Sequence, residues 1–126
     1  MDLHSKNKTT QITGQKGEEQ AVFFLTDKNY KIIELNWRHR KYEIDILAEY
    51  EDKLVVVEVK TRSSDQFGTP ESFVSLKKQQ FLISAVNAYV EIKQCNKEIR
   101  FDIISIIHHD NKFIIEHIED AFYPRV

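Results

Sequence analysis

Several residue types that organise small proteins are scarce in this chain of 126 residues. It has one cysteine, Cys95, so no disulfide can form within the chain and no cysteine-rich zinc site is available. Its three glycines are too few for a glycine-rich loop that cradles a nucleotide phosphate. A lone thiol is typical of a reducing compartment, and we therefore expect a cytoplasmic protein.

Long apolar segments are also missing. Runs such as residues 22–25 and 54–57 are far shorter than the roughly 20 apolar residues of a transmembrane helix, so we expect no membrane partner. Residues 1–12 carry almost no core-forming side chains, and neither a signal peptide nor a folded unit is expected there. We predict a flexible tail over residues 1–12 and a single domain over residues 13–126.

The chain has no strong excess of either charge. The 18 Lys and Arg residues against 20 Asp and Glu residues leave a net charge of -2. Overall charge therefore does not indicate a nucleic-acid partner, and any such partner has to be held by a local basic patch.

The hydropathy pattern predicts the order helix, three strands, helix, two strands. After Gly14, the apolar spacing from Ala21 to Leu25 is helical and places Glu18 on the same face. Ser75 is the expected N-cap of the second helix, which continues to about Ile92. The strands are predicted at residues 30–37, 42–48, 54–61, 99–107 and 112–118, with the last at a sheet edge and residues 62–70 as a loop.

Period-two alternation predicts which side chains share a face of each strand. In the first strand it places Ile33, Leu35 and Trp37 on one apolar face. In the second strand Glu43, Asp45 and Leu47 fall on one side. Opposite them fall the apolar side chains of Tyr42, Ile44, Ile46 and Ala48.

The same alternation predicts a site. Asp45 on the second strand and Glu58 and Lys60 on the third can share one sheet face. Two carboxylates about 4 Å apart repel by roughly 4 kcal/mol at an effective dielectric near 20, and a cation between them relieves this repulsion. Mg²⁺ is usually held by one or two carboxylates plus water and phosphate, so Asp45 and Glu58 are the predicted ligands of Mg²⁺ or Mn²⁺. Lys60 is then suited to position a water or stabilise an anionic transition state. The alternative is a solvated surface with an Asp45–Lys60 or Glu58–Lys60 ion pair.

Several motifs extend this pattern beyond single residues. Glu18 on a helix, Asp45 on a strand and Glu58-x-Lys60 on the next strand resemble the PD-(D/E)xK nuclease superfamily. Over residues 14–123 the chain resembles one subgroup, the bacterial YraN-like family, in the motifs GQKGEEQAVFFL, NWR, EIDILA, VVVEVKTR, FGTPESFVSLKKQQ, RFDI and IEDAF. That family is similar in fold to archaeal Holliday junction resolvases. The resemblance implies an α/β restriction-endonuclease-like core, a mixed central sheet of about five strands flanked by helices, and catalytic roles for Glu18, Asp45, Glu58 and Lys60. It also implies a link to DNA repair or recombination.

The chain departs from these patterns at two positions. Ile44 stands where the superfamily has proline before the strand aspartate, and this leaves the carboxylate geometry unaffected. Tyr42 stands where YraN-like chains usually have glycine, which puts only the local backbone in doubt.

Basic residues flank the predicted site in sequence. We assign nucleic-acid contacts to Arg38, Arg40, Lys41, Arg62, Lys77, Lys78 and Gln79. Clustered Lys and Arg bind phosphates through counterion release, whatever the net charge. Ordinary surface charge remains the alternative, since Glu49, Glu51 and Asp52 lie nearby in sequence.

Three functions are open at this point. The first is a Mg²⁺- or Mn²⁺-dependent endonuclease acting on DNA, with junction, flap or single-stranded substrates favoured by the resemblance alone. The second is a nucleic-acid-binding module that cuts little or nothing, and the third is a protein-interaction subunit. The choice between DNA and RNA, and whether the chain forms a homodimer, also stay open.

Overall fold

The computed structural model describes residues 16–63, 72 and 74–124, so the predicted tail at residues 1–12 lies outside the described residues. Helix α1 covers residues 16–27 of this part. The remaining elements follow in chain order: β1 Lys31–His39, β2 Tyr42–Tyr50, β3 Lys53–Ser63, α2 Leu76–Lys93, β4 Glu98–His109 and β5 Lys112–Phe122. Among the described residues, no helix has the length and apolar character needed to cross a bilayer.

The five strands form one mixed sheet in the order β1-β2-β3-β4-β5. Neighbours are antiparallel except β3 and β4, which run parallel because α2 carries the chain back between them. This architecture confirms the predicted α/β class and is consistent with a restriction-endonuclease-like core. As predicted, the last strand lies at an edge, and β4 is buried on both faces from Phe101 to Ile106.

Each face of the sheet packs against one helix. On the first face, which we call the α2 face, the helix buries Leu82, Ala85, Val86 and Tyr89 against Leu47, Leu54 and Val56, among other side chains. On the opposite α1 face, the buried side chains are Ala21, Leu25, Tyr30, Ile46, Ala48, Val55, Val57, Ile104 and Ile106. The middle strands are therefore covered on both sides, which explains why β3 and β4 read as nearly continuous apolar runs.

One residue at the start of each helix has a specific structural role. Ser75 caps α2 as predicted, because its Oγ accepts a hydrogen bond of 3.1 Å from the Lys78 amide. In α1, a Cβ at Gly17 would lie 2.2 Å from the Thr61 Oγ1, so only glycine lets the helix approach β3 this closely.

The predicted alternation of β2 is wrong at its centre. Ile44 packs on the α2 face together with Leu47, whereas Ile46 and Ala48 pack on the α1 face. Because Ile44 and Ile46 are two residues apart yet face opposite ways, the period-two pattern is interrupted at Asp45. The paired register of β2 with β3 extends only to Ile46 opposite Val57, so the two strands separate at this point.

The continuous apolar face predicted for β1 is also wrong. Ile33 and Trp37 pack on the α2 face, but Leu35 between them is 51% exposed. The register with β2 shifts between Ile32 and Glu34, and Asn36 has a φ of 51° in the left-handed region. These two irregularities twist the strand, so side chains two residues apart do not all share one face between Ile33 and Trp37.

All five strands are longer than predicted, and in three of them the added residues matter for the site or the core. β1 extends to His39 and therefore includes Arg38. β3 extends to Ser63, so Arg62 belongs to the strand rather than to the predicted loop. β5 reaches Phe122, and Phe122 pairs with Phe101 on β4 after a register shift.

Candidate metal and nucleic-acid site

Asp45 reaches β3 at the point where the two strands separate. Its Oδ2 accepts a hydrogen bond of 3.0 Å from the Val59 amide, a donor that a β2 carbonyl would otherwise be expected to bind. The predicted meeting of Asp45 with Glu58 therefore occurs, but through this break in the ladder and not through regular alternation. The carboxylate is held by the backbone of β3 beside the Glu58 side chain.

Glu58 is the most unusual group of the site. It is only 4% exposed, on the α2 face of β3. Burial, followed by a hydrogen bond shared with Asp45 and repulsion from its charge, raises the pKa of Glu58 to about 8 from 4.5. The positive charges of Lys78 and Lys60 act in the opposite direction but do not cancel these effects. Near neutral pH the Asp45–Glu58 pair therefore retains a proton.

One oxygen of Glu58 forms an ion pair but accepts no hydrogen bond from the described residues. This oxygen, Oε2, is buried, and the Lys78 Nζ lies 3.4 Å from it. The ion pairs considered from sequence, Asp45–Lys60 and Glu58–Lys60, are not found, because no carboxylate of the described part of the chain is within ion-pair distance of Lys60. The N-terminal turn of α2 thus supplies a cation, Lys78, to the site. The sequence pattern indicated a nucleic-acid contact for this lysine.

Glu18 approaches the site from α1. It is half-buried, and its pKa is raised by burial and by the charge of Asp45, while a hydrogen bond with the Asn36 side chain lowers it. Nevertheless, no three Asp, Glu, His or Cys side chains of the described residues are grouped closely enough to hold a metal ion. Glu18 is an electrostatic neighbour of the pair, and the two carboxylates that meet are Asp45 and Glu58.

A basic and aromatic surface is formed where the β1–β2 turn meets the first turns of α2. The Lys41 ammonium lies 5.4 Å from the centroid of the Phe81 ring and 5.7 Å from that of Tyr42. The Lys77 ammonium lies 5.8 Å from the Phe81 ring, and the rings of Tyr42 and Phe81 are themselves in contact with centroids 5.4 Å apart. These four residues, which we call the Phe81 surface, combine phosphate-binding cations with rings on which a base can stack.

The other predicted contact residues lie in different settings. Arg38 is exposed and forms an ion pair of 3.3 Å with Glu43, and Arg40 occupies the exposed turn between β1 and β2. Arg62 is half-buried near the end of β3. Gln79 donates a hydrogen bond of 3.2 Å to the Val74 carbonyl, so its amide holds the start of α2. The structure therefore places Lys78 beside Glu58 and brings Lys41 and Lys77 to the Phe81 ring, while Arg38 lies near the end of β1 and Arg40 in the turn that follows.

A second polar cluster was missed from sequence. Asp102 is fully buried, and its carboxylate accepts hydrogen bonds from both Nε and Nη2 of Arg100, at 2.9 and 2.8 Å. It also accepts one of 3.0 Å from the Asp120 amide. Burial by itself raises the pKa of Asp102, but hydrogen bonds from His117, Arg100 and the Asp120 amide outweigh it and lower this pKa. An aspartate within the apolar run of β4 was the available signal.

His117 extends this cluster towards α1. Its Nδ1 lies 2.8 Å from the Lys28 ammonium, which can only donate, so Nδ1 accepts and Nε2–H donates to Asp102 at 2.7 Å. Tyr30 accepts a hydrogen bond from Arg100 and stacks on Tyr50 with ring centroids 4.1 Å apart. Each carboxylate oxygen has donors, so the cluster is a satisfied network that joins α1, β4 and β5.

Known proteins resemble this chain over most of its length. A family model described as "Uncharacterised protein family UPF0102" matches residues 17–106, which include the carboxylate pair and Asp102. The UPF0102 protein FP2501 of Flavobacterium psychrophilum is 53% identical over 110 residues, covering 87% of this chain and 92% of that protein. A UPF0102 protein of Phocaeicola vulgatus is 45% identical over 113 residues, covering 90% and 93%. These matches confirm the YraN-like resemblance, and the chain belongs to the UPF0102 family.

Proposed function

We propose that the protein is a divalent-metal-dependent endonuclease that hydrolyses phosphodiester bonds in DNA. The observation that carries this proposal is the pairing of Asp45 with Glu58, a buried carboxylate whose Oε2 accepts no hydrogen bond among the described residues. A fold that only needed stability would not favour a buried glutamate of raised pKa next to a second carboxylate at a break between strands. The pair is better explained as a site that binds a cation.

The donor set fits Mg²⁺ or Mn²⁺. Asp45 and Glu58 supply oxygen ligands, and ions of this kind are commonly held by one or two carboxylates, with water and substrate phosphate completing the shell. When bound, such an ion lowers the pKa of a coordinated water and neutralises charge on the phosphodiester. The pKa of Glu58 near 8 means that ion binding has to displace a proton from this group.

The lysines of the site have separate roles in this proposal. Lys60 faces the same side of β3 as Glu58 and stabilises negative charge developing on the phosphate. Lys78 lies 3.4 Å from the Glu58 Oε2 and pairs with this carboxylate when it is ionised, and it can turn to the substrate phosphate once an ion takes Glu58. Neither role requires the net charge of the chain to be positive.

The Phe81 surface supplies the contact to DNA. Lys41 and Lys77 bind backbone phosphates, and the exposed parts of Tyr42 and Phe81 accept an unstacked base. Base stacking needs a base that is free of its duplex neighbours, so junctions, flaps and single strands are the favoured substrates. If two copies act on opposite strands of a junction, sedimentation will show two protomers per junction.

The decisive experiment measures cleavage of junction, flap, single-stranded and duplex DNA with Mg²⁺, Mn²⁺ or EDTA. We expect cleavage with either ion, none with EDTA, and loss of cleavage in Asp45→Asn and in Lys60→Ala. Lys93→Ala is the control, because Lys93 is an exposed lysine in the last turn of α2, whereas Lys78 in its first turn contacts the site. Undiminished cleavage by either site variant would refute the assigned roles.

The same substrates distinguish the nuclease from a binding module. If the wild type binds DNA with strong salt dependence but cuts none of these substrates, a non-catalytic nucleic-acid-binding protein replaces the nuclease. If neither cleavage nor salt-dependent binding is found with DNA or RNA, the protein-interaction subunit becomes the better account.

A further inference from the structure

One hydroxyl interrupts the most apolar strand of the sheet. Residues 103–107 of β4 are isoleucine except for Ser105, which is 1% exposed. Its Oγ has no hydrogen-bond partner among the described residues. A buried hydroxyl left unpaired costs about 1–3 kcal/mol, so stability alone favours an apolar residue at this position.

The position of Ser105 connects it to the carboxylate pair. Ile103 packs on the α2 face, and Ile104 and Ile106 pack on the α1 face, so Ser105 points to the α2 face. In the parallel register of β3 and β4, Ser105 lies directly opposite Lys60. Adjacent strands are about 4.8 Å apart, so the hydroxyl is within reach of the lysine side chain.

Two buried oxygens that accept no hydrogen bond from the described residues therefore lie on the same face as Lys60. One is the Glu58 Oε2, and the other is the Ser105 Oγ. Glu58 lies two residues before Lys60 on β3, and Ser105 lies opposite Lys60 on β4. An ion bound to Glu58 occupies that carboxylate, and Ser105 is then the buried acceptor left beside Lys60.

We propose that Ser105 is a positioning residue of this site, whose buried hydroxyl accepts a hydrogen bond from the Lys60 ammonium when the Asp45–Glu58 pair binds its ion. The inference rests on the proposed nuclease function. A long lysine side chain loses considerable rotamer entropy when it is fixed in one conformation. An acceptor that is already held in the sheet offsets part of this entropy cost, so less of the activation free energy is spent on positioning the ammonium.

The neutral character of the hydroxyl matters for this role. A carboxylate opposite Lys60 would hold the ammonium more strongly but would also offset its charge. A hydroxyl fixes the position of the ammonium and leaves its full positive charge available to the substrate phosphate. Serine is therefore suited to a lysine that acts on a phosphate.

The first test compares Ser105→Ala, Ser105→Thr and the wild type in metal-dependent DNA cleavage and thermal unfolding. We expect Ser105→Ala to lower kcat at least about tenfold, as the loss of one hydrogen bond from a charged donor implies, with little change in KM and no fall in Tm. Ser105→Thr keeps the hydroxyl and should keep kcat within about twofold of the wild type. Ser84→Ala, a half-buried serine on α2, is the matched control and should leave kcat unchanged.

A structural role predicts a different pattern. If Ser105→Ala lowers the Tm while kcat per folded molecule stays at the wild-type value, the positioning role is overturned. If Ser105→Ala does not fold, Ser105→Thr still decides, because a folded threonine variant with kcat reduced as much as tenfold contradicts a role for the hydroxyl.

A second readout does not depend on cleavage. NMR relaxation of the Lys60 Cε group, assigned by the signal lost in Lys60→Arg, is measured with saturating Mg²⁺. We expect an ordered Lys60 side chain in the wild type and one as mobile as Lys93 in Ser105→Ala. Equal Lys60 mobility in both proteins overturns the Ser105 proposal alone, whereas a wild type that neither cleaves DNA nor binds Mg²⁺ overturns the nuclease function and the Ser105 role with it.

Discussion

Replacing Asp45 by asparagine should make the metal-free protein more stable above neutral pH. The Asp45 Oδ2 accepts a hydrogen bond of 3.0 Å from the Val59 amide, and the side-chain oxygen of an asparagine can accept the same bond. The new amide nitrogen is a donor that faces the Glu58 carboxylate, where the wild type has a second negative charge. The substitution therefore exchanges a repulsion for a hydrogen bond without removing the contact to β3.

The magnitude follows from the pKa of Glu58. Burial first, and Asp45 second, raise this pKa from 4.5 to about 8, which corresponds to about 5 kcal/mol at high pH as an upper bound. Because the folded state holds the proton more tightly than the unfolded state, the stabilisation is complete below pH 4.5 and is lost as the pH rises through about 8. Asparagine removes only the part due to Asp45, so we expect a gain of about 1–2 kcal/mol above pH 8 that disappears towards pH 4.5.

Bound metal should reverse the order of stabilities. An ion that binds only the folded state adds about 2.7 kcal/mol at a hundredfold excess over its Kd, and Asp45→Asn should lose most of this gain. We therefore expect the asparagine variant to be the more stable protein in EDTA at pH 8, and the wild type to be the more stable one with saturating Mg²⁺.

Urea unfolding followed by the fluorescence of the single tryptophan measures these differences. Trp37 packs against Tyr89 with ring centroids 5.3 Å apart, so its emission reports the core on the α2 face. The control is Asp52→Asn in the β2–β3 turn, where the side chain is 87% exposed and no effect above about 0.5 kcal/mol is expected. A wild type that is the more stable protein in EDTA and gains nothing from Mg²⁺ would show that Asp45 is only a structural hydrogen-bond acceptor.

Three further predictions concern other parts of the molecule. Combining Arg38→Ala with Arg40→Ala should weaken binding to all DNA sequences about equally and flatten the slope of log affinity against log salt by up to about 2. An unchanged slope in an anisotropy titration would place the phosphate contacts elsewhere. Gly17→Ala should lower the free energy of unfolding by about 1–3 kcal/mol, because the added Cβ meets the Thr61 Oγ1, and Thr61→Ala in the same protein should restore most of it. A Gly17→Ala protein as stable as the wild type would mean that the helix shifts at no cost. Asp102→Ala should cost about 3–5 kcal/mol in urea unfolding, because it leaves Arg100 without its buried partner. A loss below about 1 kcal/mol would show that Arg100 finds other acceptors.

The sequence by itself determined the elements of the fold and the residue types of the site. Helical spacing between Ala21 and Leu25, the N-cap at Ser75 and the apolar run of β4 are local signals, because each depends on neighbours within a few residues of the chain. Glu58 and Lys60 share a face for the same reason, since both lie on one regular strand. The resemblance of these motifs to a known family implied a restriction-endonuclease-like α/β fold, and the structure is consistent with it.

Only the tertiary structure decided how the charged groups are paired. Asp45 contacts Val59 fourteen residues away at a break in the ladder, which strict alternation does not predict. Lys78 reaches Glu58 because the crossover through α2 brings its first turn over β3, and Asp102 is satisfied by His117 only after β5 folds back on β4. Burial also depends on the assembled sheet, and it is the largest cause of the raised pKa of Glu58. Local patterns determine which residues a strand presents, whereas the desolvation and the partners of a charge depend on chain segments that are distant in sequence.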